Sequence, residues 1–189
     1  MADPLKVLDF WLGEVGLTGW YAGGAALDAE VRDRFGDLWQ AGLDGGLEHW
    51  VEGTVGSLAY IVLTDQFPRN MFRGQAAAFA TDALARAAAR RALEAGWDMA
   101  APEPERQFFY LPFEHSEDPA DQALSVRLMA ERMASDPGLH RHARAHQAII
   151  ARFGRFPFRN AALGRATTAP EAAFLAKGGY GATVAALRG

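Results

Sequence analysis

Along most of the chain, apolar residues return every three or four positions, the spacing of a helix with one buried face. Leu5, Leu8, Phe10, Trp11 and Leu12 form such a face behind Asp3-Pro4, an acid at a cap position followed by the residue suited to a first helical turn. Glycines between positions 13 and 24 predict a loop, after which Asp28 is the expected cap of a helix that turns Val31, Phe35, Leu38 and Trp39 inward. A glycine-rich break at 42–46 and a short turn at 47–51 follow. Thr54 is the expected cap of the next helix, which carries Leu58-Ala59-Tyr60-Ile61-Val62-Leu63. That run would suit a buried strand by apolar content, but no turn-bounded partner strand exists, so the pattern predicts a helix. Pro68 disfavours helical geometry at the residue before it, which predicts an end near Phe67.

Residues 75–96 read as a long alanine-rich helix closed by Gly96, and 102–110 as a shorter one stopped at Pro112. Asp118-Pro119 opens a helix reaching about Ser135, and Asp136-Pro137 opens another ending near Gly154. Thr168 is the expected cap of a last helix of about ten residues, closed by Gly178-Gly179; the tail from Tyr180 fits no single state. The pattern predicts an all-α chain of about eight helices without a sheet, a single domain over 1–189, arranged as a bundle or α-solenoid. The repeat of about 34 residues that marks a tetratricopeptide array is not visible.

Composition sharpens this by exclusion. A 189-residue chain with 50% hydrophobic and 22% charged residues is long and apolar enough to build a core. The start of the chain lacks a signal peptide's basic region and apolar run, and no stretch approaches the roughly 18 apolar residues of a membrane span. A cytoplasmic protein is expected. The net charge of −4 argues against nucleic acid as a partner. With no cysteine, disulfides, thiolate metal sites and cysteine nucleophiles are excluded. All the basic side chains except Lys6 and Lys177 are arginine. Codon bias toward Ala, Arg and Gly explains this plainly; the alternative is that some act as forked donors to carboxylates or to an anionic ligand.

Three polar-aromatic segments concentrate the chemistry. In 65–74, Asp65 and Gln66 close a strongly apolar helix, so a buried Asp65 needs Arg69 or Arg73 as partner, with Asn70 adding a further polar group. In 111–122, His115 is the acid–base candidate, which Glu114 or Glu117 could orient; Ser116 and Asp118 suit helix capping. In 152–165, Arg155, Arg159 and Asn160 alternate with Phe153, Phe156 and Phe158, a pattern that suits an anion pocket or a buried ion-pair network. His142 and His146 share a helix face, but the spacing alone is a weak metal signal, and Ala143 stands where a zinc peptidase needs glutamate. Surface histidines are the expected reading. Phosphate-binding glycine loops and nucleophile elbows are missing, so no cofactor or metal is called for.

Four strings also carry a resemblance. Val7-Leu8-Asp9-Phe10-Trp11-Leu12-Gly13, Leu63-Thr64-Asp65-Gln66-Phe67-Pro68-Arg69-Asn70, Leu111-Pro112-Phe113-Glu114-His115-Ser116-Glu117-Asp118 and Arg152-Phe153-Gly154-Arg155-Phe156-Pro157-Phe158-Arg159-Asn160 fall in the order seen in the bacterial DUF924 family, which the chain resembles over nearly its whole length. The resemblance implies an all-α, TPR-like superhelical domain and no assigned activity. Two readings of function stand side by side. In one, Asp65, Gln66, Arg69, Asn70, Arg73, Arg155, Arg159 and Asn160 line a polar pocket for a small anionic ligand, with His115, Glu114 and Glu117 as acid–base groups and turnover left open. In the other, the chain is a TPR-like scaffold for a peptide or protein, and the segments are structural locks.

Overall fold

Asp3 accepts a hydrogen bond from the Leu5 N–H at 3.0 Å and starts α1 (Pro4–Leu8), as the Asp-Pro pair predicts. The structure, a computed structural model, describes residues 2–188, and among them every regular element is helical. The chain forms two compact units, Met1–Pro112 and Phe113–Gly189.

In the first unit, the expected loop after Gly13 is instead helical. The backbone widens into a π-helical segment, Asp9–Val15, and continues as α2 (Gly16–Gly19). The Gly16 N–H reaches back five residues to the Trp11 carbonyl, which also accepts the Trp20 indole N–H at 2.6 Å. Gly16 supplies the positive φ of 63° that this change of winding needs. α3 (Ala25–Leu43) starts three residues before the expected cap, Asp28, whose carboxylate is engaged elsewhere. α4 (Thr54–Ile61) is entered from Gly53 and not capped by Thr54, whose hydroxyl donates to the Trp97 carbonyl at 3.1 Å.

Pro68 does not stop the helix. α4 widens into a second π-helical segment, Val62–Gln66, and runs on as α5 (Phe67–Met71). A proline in a helix lacks the N–H owed to the carbonyl four residues back and crowds that carbonyl. Both problems are solved here. The Phe67 N–H bonds five residues back to the Val62 carbonyl, opening the turn, and the Thr64 carbonyl accepts the Thr81 hydroxyl at 2.6 Å. Thr81 is completely buried and also accepts the Trp39 indole N–H at 3.1 Å. That employment explains a further difference: the alanine-rich stretch is split into a 3-10 turn, Ala76–Phe79, and α6 (Asp82–Glu94), which starts just after Thr81. The core of this unit is aromatic, with Phe67 packed against Phe10, Trp11 and Phe35 at ring separations of 4.8–5.9 Å.

The stretch read as a helix over 102–110 contains a 3-10 turn, Glu105–Phe109, and Pro112 lies within a single turn, α7 (Leu111–Glu114), that leads into the second unit. There, α8 (Pro119–Arg132) starts at Asp118, whose Oδ1 accepts the Ala120 N–H at 2.7 Å. It packs against α9 (Pro137–Phe153), which Asp136 caps and Gly154 ends in the left-handed conformation. α10 (Ala169–Ala176) starts in a reciprocal capping box between Thr168 and Glu171. The tail that fitted no single state is α11 (Gly179–Ala186), packed on α9 and α10.

Candidate functional site

The 65–74 segment is built around two carboxylates. Asp65 is fully buried at the end of the apolar helix; its carboxylate meets Arg69 Nη1 at 3.3 Å and accepts the Gln66 side-chain amide at 2.5 Å. Arg69 also reaches the Asp82 carboxylate at 3.0 Å and donates to the Asp65 carbonyl. The second carboxylate, Asp28, receives both forked donors of Arg73 at 2.8 Å and the Asn70 amide at 2.9 Å. The Arg73 hydrogen bonds, helped by Asn70 and opposed by burial, hold the Asp28 carboxyl below its ordinary pKa. Asp65 therefore takes Arg69 as its guanidinium, while Asn70 and Arg73 serve a different acid.

The 152–165 segment is organised in the same way. Glu171 receives Arg155 through a forked pair at 2.6 and 2.9 Å, the Thr168 N–H at 2.7 Å and the Asn160 amide at 3.3 Å. Its carboxyl is held far below the ordinary value, first by Arg155 and then by the Thr168 N–H. Glu117 accepts the Phe156 N–H at 2.8 Å and the two terminal nitrogens of Arg165 at 2.8 and 3.1 Å. Burial pushes the Glu117 carboxyl up, but Arg165 and the Phe156 N–H outweigh it and leave it lowered. The guanidinium of the buried Arg159 lies 4.5 Å from the Phe156 ring centroid.

Glu114 has a different partner. It is buried, and its Oε1 lies 2.9 Å from Nδ1 of His146, whose side chain is only 12% exposed. The surface reading of His146 is therefore corrected. The same Nδ1 is 3.0 Å from the His142 carbonyl. With two acceptors in reach, Nδ1 carries the proton, so in the neutral ring Nε2 is the basic nitrogen. Gln122 fixes the chain behind this pair, donating its amide to the Glu114 carbonyl at 2.6 Å and the Ser116 carbonyl at 2.7 Å. The His115 ring lies 6.3 Å from that of His146, edge to face. Tyr180, from α11, packs on His146 at 4.7 Å and meets Nδ1 of His142 at 2.5 Å. Burial lowers the His142 pKa more than Glu114 raises it, which favours the neutral ring in its contact with the phenol.

This chain matches the family model described as a bacterial protein of unknown function (DUF924) over residues 7–179. The chain belongs to the DUF924 family. A solved structure of a protein of unknown function from Agrobacterium tumefaciens is 42% identical to it, covers 92% of this chain and 97% of its own, and superposes with a TM-score of 0.86. No curated protein matches. Among the described residues of this DUF924 chain, no helix is long and apolar enough to cross a membrane, and no group of three or more His, Asp or Glu is placed to hold a metal.

Sequence reasoning places His142 and His146 on the surface and gives no role to Tyr180 or Gln122. A signal for His146 was present. Leu139, Ala143, His146 and Ile150 follow the four-three-four spacing of one helix stripe, and the other three members are buried. A histidine on that stripe faces the interior. Tyr180 left no comparable trace, because its contact with α9 crosses 38 residues.

The lowered carboxyls give this DUF924 chain an acid limb of defined sign. A group with a depressed folded-state pKa contributes stability above its unfolded value and loses it as pH falls through the folded one. Unfolding stability should therefore hold near neutral pH and fall once pH drops below about 4.5, the ordinary glutamate value. Replacing Glu117 with Gln should flatten that limb, as measured by urea midpoints across pH 3 to 7 (about one-unit steps suffice).

Proposed function

We propose that this chain binds a small ligand and performs acid–base chemistry on it at His146. The observation that carries the reading is the contact between His146 Nδ1 and the buried carboxylate of Glu114. A carboxylate on one ring nitrogen fixes the tautomer, orients the ring and stabilises the imidazolium that forms when the other nitrogen takes a proton. Among the described residues Nε2 has no hydrogen-bond partner, which leaves it for the ligand. His115, beside it, and Tyr180, hydrogen-bonded to His142, are the neighbouring groups able to give or take a second proton. Arg69, Arg73 and Arg155 already answer carboxylates, so recognition falls to the imidazole site and not to an arginine cluster. Asp65, Gln66, Asn70 and Asn160 are bound into the same carboxylate networks.

Nitrogen NMR of the imidazoles tests the premise directly. His146 should be held as the Nδ1–H tautomer; a dominant Nε2–H form would remove the base and end the reading. A thermal-shift panel of small carboxylates, phosphates and nucleotides then tests binding. A ligand present at about a hundred times its Kd should raise the Tm by several degrees in the wild type and not in His146→Asn. An equal shift in both would place binding elsewhere.

A further inference from the structure

We infer that the ligand taken at His146 is a planar ring compound, stacked on Phe158. The inference rests on the acid–base reading above and names its substrate class. Of the chain's twelve phenylalanines, eleven are buried or half-buried, and Phe158 alone is exposed, at 43%. Its exposure follows from the 3-10 turn Pro157–Arg159, in which Pro157 and Arg159 are both buried and the residue between them is turned outward. One face of the ring is covered, stacked on Phe156 at 5.2 Å with an interplanar angle of 27°.

Phe158 is not an isolated surface ring. Its ring neighbours, Phe156 and Tyr180, also pack against His146. Tyr180 makes a T-shaped contact with it at 6.4 Å and also packs on His146, while the covered neighbour, Phe156, makes a T-shaped contact with His146 at 5.4 Å. Phe158 is thus one ring removed from His146 by two separate paths. A flat ligand laid on Phe158 would extend the Phe156–Phe158 stack and meet the Tyr180 ring, which is the offset and edge-to-face geometry that aromatic rings favour. A saturated ring of the same width would cover the same apolar surface without that gain.

Benzamide and cyclohexanecarboxamide make a suitable probe pair, since they share one polar group and differ only in the ring. Titrations followed by proton and nitrogen NMR should show benzamide shifting the Phe158, Tyr180 and His146 resonances, with an affinity about tenfold above that of the saturated analogue. Phe158→Ala should bring benzamide down to the saturated level, and Phe158→Leu, which keeps apolar area without a π face, should do the same. Because Phe158 is exposed, both variants should fold. Equal affinities for the two probes, no binding of either, or benzamide binding that survives Phe158→Ala would overturn the inference. The His146 tautomer separates the two levels: its loss in the wild type sinks the acid–base reading, whereas an intact tautomer without ring preference sinks only this one.

Discussion

Replacing Arg69 with Met should destabilise the first unit by about 3–5 kcal/mol at neutral pH, one of the two largest effects expected in this chain. The change takes the guanidinium away from Asp65, which is fully buried, and from Asp82 at the start of α6. Methionine preserves the apolar stem, so the loss is one of charge compensation and not of packing. A companion variant separates these causes. Arg69→Met combined with Asp65→Leu removes the deepest charge together with its partner and should recover most of the loss. Urea unfolding with an unchanged slope would report both values. If the single variant costs less than about 1 kcal/mol, the Asp65–Arg69 contact is not what compensates the buried carboxylate.

The second large effect lies in the second unit. His146→Leu should cost about 3–5 kcal/mol, because it strips Glu114 of its ring partner while the carboxylate stays buried. The other oxygen of Glu114, Oε2, is buried without a hydrogen bond, so no second donor takes over. The double variant Glu114→Leu, His146→Leu should lie within about 2 kcal/mol of the wild type, since replacing both partners of a buried hydrogen bond by apolar side chains is often nearly neutral. Stability and function then come apart. The double variant folds but carries no base, and ligand-induced shifts in Tm should vanish in it. A double variant as unstable as the single one would mean that His146 supports the fold by packing alone.

Local chemistry was legible where it involves neighbours along the chain. Asp3, Asp118, Asp136 and Thr168 cap helices as their sequence contexts predict, because a cap bonds only two or three residues ahead. The two Phe-Pro strings fold differently. Gly154 precedes the second and ends α9 with a positive φ, so Pro157 falls in a 3-10 turn. No glycine precedes the first, and the helix runs through Pro68. The deciding element there is Thr81, which supplies the hydrogen bond to the Thr64 carbonyl from 17 residues away. Thr54 and Asp28 failed as caps for a related reason: each side chain has a tertiary partner more than 40 residues distant.

The 3.6-residue period and the short-range caps are properties of the chain itself, so an all-helical fold and the helix starts at Asp3, Asp118, Asp136 and Thr168 were determined by the sequence alone. So was the need of each buried carboxylate for a donor, since an uncompensated charge cannot stay in an apolar interior. Which donor meets which acid was decided by tertiary structure. Four of the candidate carboxylates and arginines found partners that their spacing does not indicate: Glu114 with His146, Glu117 with Arg165, Arg73 with Asp28, and Arg155 with Glu171. Periodicity says which face of a helix is buried, but the face it is buried against depends on how helices distant in sequence pack. His146 gains its carboxylate, its tautomer and its aromatic neighbours only through that packing.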